Sequence, residues 1–390
     1  MNKICALVLS VSLFFSLFPP LKGGAEEFEL VDNARSAILM EQDTGTVLYE
    51  KNSEEPLPPA SMTKLMTMLL VMEALETGKI RYTDKVRASA HAAGMGGSQI
   101  FLEEGEEMTV EELFRAVAIG SANDASVALA EKIAGSEEAF VKMMNDKAKA
   151  LGLKNTQFRN STGLPAENHY SSAKDMAILA RELLKYQDIT KFTGQYESYL
   201  RKGTEKEFWL VNTNRLVRFY PGVDGLKTGF TSEAKYCLTA TAKKDGMRVI
   251  AVIFGAPTSK ERNRQIAKMF DYAFAQFETA PLYKSGDPVG EARVTKGAKT
   301  KVTAVVHEPI ALLKRKGEEL KGYEHEVHFL KLQAPVKKGE VVGAVIVKKE
   351  GKVIKKWNVY AKEDIQPATW WTLFKRTFGQ ITKINKAKID

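Results

Sequence analysis

Hydrophobic positions change their period several times along this 390-residue chain. Ile4 to Leu17 is a short, almost wholly apolar run behind the basic Lys3, and Gly23-Gly24-Ala25 follow just before the acidic pair Glu26-Glu27. That is the layout of a secretory leader over residues 1–25, cut after Ala25, and the run is short for a bilayer span. Ser36 to Met40 and Thr46 to Tyr49 then read as strands around a turn at Asp43-Thr44-Gly45. From Ser61 to Leu75 apolar residues occupy nearly every face, which predicts a helix buried on all sides and ended by Gly78. Ser89 to Gly105 is irregular. Thr109 and Glu112 form a capping-box pair that opens a helix through Ile119. Gly120-Ser121-Ala122-Asn123 interrupts it, and Ala125 to Ile133 resumes a helical pattern. Ser172 and Asp175 open another helix, Met176 to Leu184. Gly225 to Phe254 alternates like two strands joined at Lys244-Asp245-Gly246, and Asn263 to Phe277 is helical again.

Strands at both ends with helices between them predict one α+β domain over residues 29–282. After Pro281 the pattern changes to strand-sized pieces, Lys301 to Val306, His325 to Leu332, Val341 to Lys348 and Val353 to Val359, punctuated by glycines. Residues 283–365 therefore read as a small all-β module. Residues 366–390 read as an amphipathic helix. Trp370, Trp371, Leu373, Phe374, Phe378, Ile381 and Ile384 fall on one arc, and Thr372, Lys375, Arg376, Gln380 and Lys383 on the other. A helix of this kind lies in a membrane interface rather than crossing it.

Composition is ordinary for a globular protein, 44% hydrophobic and 27% charged. Of the two cysteines, Cys5 leaves with the leader, so Cys237 remains alone in an apolar run and reads as buried filler. Loss of Lys3 and Lys22 takes the formal charge from +9 to +7. Such an excess suits nucleic acid or an anionic membrane surface. Export argues against nucleic acid, and the tail favours the membrane. The chain is thus expected outside the cytoplasm, held on the outer face of the cytoplasmic membrane by its C-terminal helix.

Three short pieces carry candidate chemistry. Ser61-Met62-Thr63-Lys64 opens the buried helix, where positions three apart share a face, so Lys64 can reach the Ser61 hydroxyl. A serine needs a base to become a nucleophile, and lysine serves only when burial or a neighbouring cation keeps it neutral. Ser121-Ala122-Asn123 places a hydroxyl and an amide in a helix break. Lys227-Thr228-Gly229-Phe230-Thr231 lies on a strand, where Gly229 leaves room for a substrate backbone and Lys227 supplies the second cation. Each piece alone is matched by a bland reading: a helix cap, a turn, an edge strand. None of His91, His169, His307, His325 and His328 stands in a nucleophile-elbow context, and no metal-ligand motif is present.

In this order, 60 and 106 residues apart, the pieces resemble the penicillin-recognising serine enzymes. The closer resemblance is to the low-molecular-mass penicillin-binding proteins, the D-alanyl-D-alanine carboxypeptidases. It extends to Pro59-Ala60-Ser61-Met62-Thr63-Lys64, Gly120 to Ala125, Asn160-Ser161-Thr162-Gly163-Leu164-Pro165 and Asp224 to Gly229, and it covers the chain from Glu29 through the β module and tail. It implies a penicillin-binding/β-lactamase-like domain, an antiparallel sheet with a helical cluster. Ser61 is then the nucleophile that acylates on peptidoglycan stem peptides ending in D-Ala-D-Ala, Lys64 its base and Ser121 the proton carrier to the leaving amine. Asn123 is implied to hold the substrate backbone. Lys227, Thr228 and Thr231, with Arg262, are implied to hold the terminal carboxylate. Gly229 belongs to the same strand, and the N–H groups of Ser61 and Phe230 form the oxyanion site. β-Lactams are implied as covalent inhibitors; no cofactor or metal is expected. Many relatives have histidine where Phe230 stands. Two alternatives compete: a class A-like β-lactamase, which needs a Glu-x-x-Leu-Asn motif that is not found between Ser121 and Lys227, and a wall-binding protein on a decayed catalytic fold.

Overall fold

The computed structural model describes residues 29–376. The expected leader, and the tail beyond residue 376, lie outside the described residues. Five strands form the central antiparallel sheet: β1 (Ser36–Glu41), β2 (Val47–Lys51), β3 (Val223–Thr231), β4 (Lys235–Lys244) and β5 (Met247–Ala256). Their order is β2-β1-β5-β4-β3, so β3 is an edge. Every residue of β1 is buried because both sheet faces are covered. Ile38 and Met40 join the larger core on one face, while Ala37 and Leu39 join a second core on the other.

Helix α1 (Lys64–Glu76) runs through the larger core with ten of its residues buried, as its all-round apolar pattern predicts. Ser61 itself lies in a preceding 3₁₀ turn, Ala60–Thr63, not in the α-helix. The capping box at Thr109 and Glu112 is present, but its helix stops at Arg115 and gives way to a π-helical turn, Ala116–Gly120. Helix α2 (Asn123–Ala134) follows, then α3 (Ala173–Leu183), capped by Ser172 through the N–H of Asp175, and α4 (Ser259–Gln276), which covers the second face.

Several expectations need correction. The stretch read as two strands is three, because a turn at Thr231–Lys235 contains no glycine or proline. It closes when Thr231 Oγ1 accepts a hydrogen bond from the Ala234 N–H. The helix Glu137–Ala150 was not foreseen; it buries only a narrow stripe of Phe140, Met144 and Ala148. A short helix, Ala90–Ala93, sits in the stretch read as irregular. Besides the two-residue strand Leu332–Gln333, the β-rich part contains three strands that were not expected, Phe277–Tyr283, Pro288–Thr295 and Ile310–Arg315. The first and last pair with each other, and Pro288–Thr295 belongs to a six-stranded sheet with its own core around Val302, Val345 and Val359. Cys237 is free and buried, with its thiol raised to about 11 chiefly by burial.

Candidate active site

Ser61 owes its position to close backbone packing. The turn carrying it is flanked by Gly163 on one side and Gly229 on the other. A Cβ on Gly163, which has a positive φ of 84°, would lie 1.9 Å from the Ala60 carbonyl oxygen. A Cβ on Gly229 would lie 2.7 Å from the Pro59 carbonyl oxygen and 3.3 Å from Met62 N. The room that Gly229 leaves is therefore filled by the Ser61 turn, which packs on the face of β3 and β4, and not by a substrate backbone.

Lys64 is wholly buried. Its Nζ lies 3.1 Å from Ser61 Oγ, 2.6 Å from Asn123 Oδ1 and 2.7 Å from the Thr162 carbonyl oxygen. Burial holds the Lys64 ammonium well below the usual lysine range, the charge of Lys227 adds to this, and Asp124 opposes it. A neutral amine has two hydrogens and one lone pair. Asn123 and Thr162 present carbonyl oxygens, which only accept, so they take the two hydrogens. The lone pair is left facing the one partner that carries a proton, the Ser61 hydroxyl. That is the geometry of a general base.

Lys227 is also buried, and its amine is lowered to about 7, first by burial and then by the charge of Arg262. Arg262, near the start of α4, is itself buried, and its guanidinium donates to Asn263 Oδ1 at 3.1 and 3.0 Å. It acts on Lys227 through charge. Thr228 Oγ1 donates to Thr213 Oγ1 at 2.7 Å, and Thr231 caps its turn. Phe230 is exposed and packs on Tyr236 with ring centroids 4.5 Å apart and the rings tilted by 38°.

Ser121 follows the π-helical turn in a left-handed conformation, φ 63° and ψ 27°. Both features are unfavourable in ordinary helices and gather at functional positions. Two residues on, Asn123 spends its whole amide within the protein: Oδ1 on Lys64, and Nδ2 donating to the Gly96 carbonyl oxygen at 2.6 Å. Asp124 accepts the N–H groups of Ile100 and Leu102 and so ties the loop after the short helix Ala90–Ala93 to α2.

Sequence reasoning left the Asn160–Pro165 motif without a role. Its carbonyls supply one. Thr162 O holds Lys64, and Ser161 O accepts from Thr67 Oγ1 at 2.7 Å and from Ser126 Oγ at 2.9 Å. Asn160 Oδ1 fixes the loop by accepting from Thr162 and Gly163. His169 was also passed over. Its Nδ1 accepts the Arg159 N–H at 3.2 Å, which leaves Nε2–H to donate to Thr63 Oγ1 at 2.8 Å, inside the Ser61–Lys64 turn. Burial, helped by Arg159, lowers this imidazole to about 4. A pocket of about 550 Å³ opens beside Ser61, between Pro58–Ala60, the loop Gly163–Tyr170, and Thr231 with Glu233.

Residues 26–258 match the family model described as D-alanyl-D-alanine carboxypeptidase, and residues 277–367 match that of the penicillin-binding protein 5 C-terminal domain. The chain is 60% identical over 361 residues to the D-alanyl-D-alanine carboxypeptidase DacF of Bacillus subtilis, covering 92% of this chain and 93% of that protein. This chain belongs to the serine-type D-alanyl-D-alanine carboxypeptidases. The carboxypeptidase is 34% identical over 347 residues to DacA of Escherichia coli, covering 85% and 84% of the two chains. Among solved structures it resembles penicillin-binding protein 5 of Haemophilus influenzae, with a TM-score of 0.67 at 35% identity over 86% of this chain and 98% of the other. It also resembles penicillin-binding protein D2 of Listeria monocytogenes in its cefotaxime-bound form, with a TM-score of 0.56 at 32% identity over 62% and 97%. The carboxypeptidase thus has the penicillin-binding α+β domain and β-rich module that the sequence motifs imply, and the β-lactamase and decayed-fold alternatives fall away.

Proposed function

We propose that this carboxypeptidase removes the terminal D-alanine from peptidoglycan pentapeptide stems through an acyl-enzyme on Ser61, and that β-lactams acylate the same residue. The observation that carries the reading is the Lys64 amine, buried and held by two carbonyl oxygens with its lone pair on Ser61. Ser61 Oγ attacks the carbonyl between the two D-alanines as Lys64 takes its proton. The N–H groups of Ser61 and Phe230 stabilise the oxyanion. Ser121 passes a proton to the leaving amine, and the bond to D-alanine breaks. Water then attacks the ester, with Lys64 again as base, and frees Ser61. Lys227, Thr228 and Thr231 hold the terminal carboxylate, and Arg262 sets the protonation of Lys227. Asn123 positions Lys64 before substrate arrives. The acyl part of the stem occupies the pocket lined by Pro59 and His169. Labelled penicillin followed by peptide mapping tests the assignment: the adduct is expected on Ser61, and an adduct elsewhere overturns it.

We further propose that residues 366–390 attach the enzyme to the outer face of the cytoplasmic membrane. Residues 370–376 are helical and lie across a turn of the β-rich module: the Ala368 N–H donates to the Lys296 carbonyl, and Arg376 donates to the carbonyls of Gly297 and Ala298. Trp370, Trp371 and Phe374 stack on one another and are exposed. No helix of the described residues is long and apolar enough to cross a membrane. Exposed aromatic rings with the Lys375 ammonium 5.6 Å over the Trp371 ring suit an anionic interface. Deleting residues 366–390 is expected to release the protein from vesicles containing anionic lipid; full retention contradicts the proposal.

A further inference from the structure

The catalytic domain exposes few large apolar side chains, and they are not scattered. Among the described residues before the β-rich module they are Val47, Phe101, Tyr199, Trp209, Phe219 and Phe230. Val47 lies alone on the far edge strand β2. Phe230 lies on β3, Phe101 on the loop whose Gly97 abuts Asn123, Tyr199 and Trp209 on a ribbon packed against Gly120, and Phe219 just ahead of β3. Apolar side chains gathered in this way mark a binding surface.

Tyr199 and Trp209 sit directly opposite each other on the two-stranded ribbon formed by Glu197–Leu200 and Phe208–Val211. Strand alternation turns Leu200 and Leu210 inward and Glu197, Tyr199 and Trp209 outward. The ribbon is firmly held. Arg201 donates to Glu106 at 2.6 Å and to the Ile100 carbonyl at 2.9 Å, and Leu210 packs so closely on Gly120 that a Cβ there would lie 2.8 Å from Leu210 Cδ2. Gly120 is the neighbour of Ser121, so the ribbon is anchored beside the reaction cleft through its inner face, with Tyr199 and Trp209 turned outward. Trp209 Nε1 donates to Glu197 Oε2 at 3.2 Å, which places a carboxylate at the edge of the indole.

Two large rings side by side on a rigid ribbon, with a carboxylate at their edge, match the two sides of a sugar. The rings take its C–H face, and the carboxylate accepts from its hydroxyls. The Glu197 carboxylate at its rim disfavours an anionic lipid. The stem peptide of the reaction is itself borne on a glycan strand, so the polymer must pass close to the cleft. We propose that the Tyr199–Trp209 face is a glycan-binding subsite that holds the sugar strand while the stem peptide attached to it occupies the cleft. The proposal rests on the carboxypeptidase reading above.

The test compares two substrates on the mature full-length enzyme: a free pentapeptide ending in D-Ala-D-Ala, and the same pentapeptide on isolated wall glycan. Trp209→Ala and Tyr199→Ala are expected to lose about tenfold in kcat/KM on the glycan-borne substrate. The rate on free pentapeptide and the acylation of Ser61 by penicillin stay unchanged, and Trp209→Phe recovers most of the loss. Wild-type enzyme is also expected to bind peptide-free glycan strands, and Trp209→Ala to lose that binding. Equal losses on both substrates reduce the ribbon to a support for Ser121 and overturn the proposal, as does no loss on either. Failure of the wild type to bind peptide-free strands overturns it too, and leaves the face to a protein partner. A wild type that releases no D-alanine even from free peptide sinks the carboxypeptidase reading instead, a distinct result.

Discussion

Asn123 Oδ1 lies 2.6 Å from Lys64 Nζ, nearer than the Ser61 hydroxyl at 3.1 Å. A residue expected to receive substrate is bound first to the base. Because an amide oxygen can only accept, this contact helps choose which side of the amine carries the lone pair, and so links the Ser-x-Asn motif to the activation of the serine.

Changing Asn123 separates its charge from its shape. Asn123→Asp puts a carboxylate against Lys64 and raises its pKa. The base is then protonated near neutral pH, and penicillin acylation is expected to fall about 10²-fold and to recover as pH rises. Asn123→Ala removes the acceptor without adding charge, so its loss is expected to persist at high pH. Stopped-flow acylation across pH distinguishes the two; identical profiles contradict the arrangement.

Arg262 acts on Lys227 by charge. In the proposed reaction Lys227 holds the substrate carboxylate only when protonated, and its pKa in the folded protein is about 7. Binding is therefore lost as pH rises through that value. Arg262→Gln removes a neighbouring cation, raises the Lys227 pKa and moves the alkaline limb of kcat/KM, which reports the free enzyme, to higher pH. An unmoved limb disconnects Arg262 from Lys227.

His169 ties stability to acid. Its folded pKa is about 4 against 6.5 for the free group. The unfolded chain therefore binds the extra proton first, and stability falls as pH drops from 6.5 towards 4. The full effect is on the order of 3 kcal/mol. His169→Gln, which keeps a donor for Thr63, is expected to flatten this slope in thermal melts between pH 4 and 7. An unchanged slope assigns the acid sensitivity to other groups.

Gly163 tests the close packing behind Ser61. Gly163→Ala forces the Ala60–Ser61 backbone to move and strains a positive φ. Penicillin acylation is expected to fall at least tenfold, with a loss of stability of about 1–3 kcal/mol. Wild-type acylation by a folded Gly163→Ala protein contradicts the packing argument.

The sequence makes the buried character of α1 plain because no face of it is polar, and the three motifs name the residues that meet. It does not reveal that Gly229 accommodates the Ser61 turn, since one missing side chain reads alike for either neighbour. The role of Thr162 is hidden for a deeper reason: it works through its backbone carbonyl, which every residue has. His169 carries a recognisable side chain, yet its partner Thr63 is 106 residues away, and no local pattern encodes that meeting. The turn after Thr231 escaped notice because a side-chain cap closes it in place of glycine or proline.

The central claim is that Ser61 attacks because Lys64 is held neutral with its lone pair on the hydroxyl. It is tested most directly by D-alanine release from a pentapeptide ending in D-Ala-D-Ala. Wild type, Ser61→Ala and Lys64→Ala are compared at neutral pH, with thermal melts confirming that each is folded. Release is predicted from the wild type alone, with losses of at least about 10³-fold in both variants. Substantial turnover by folded Lys64→Ala would contradict the account, because another group would then have to take the proton of Ser61.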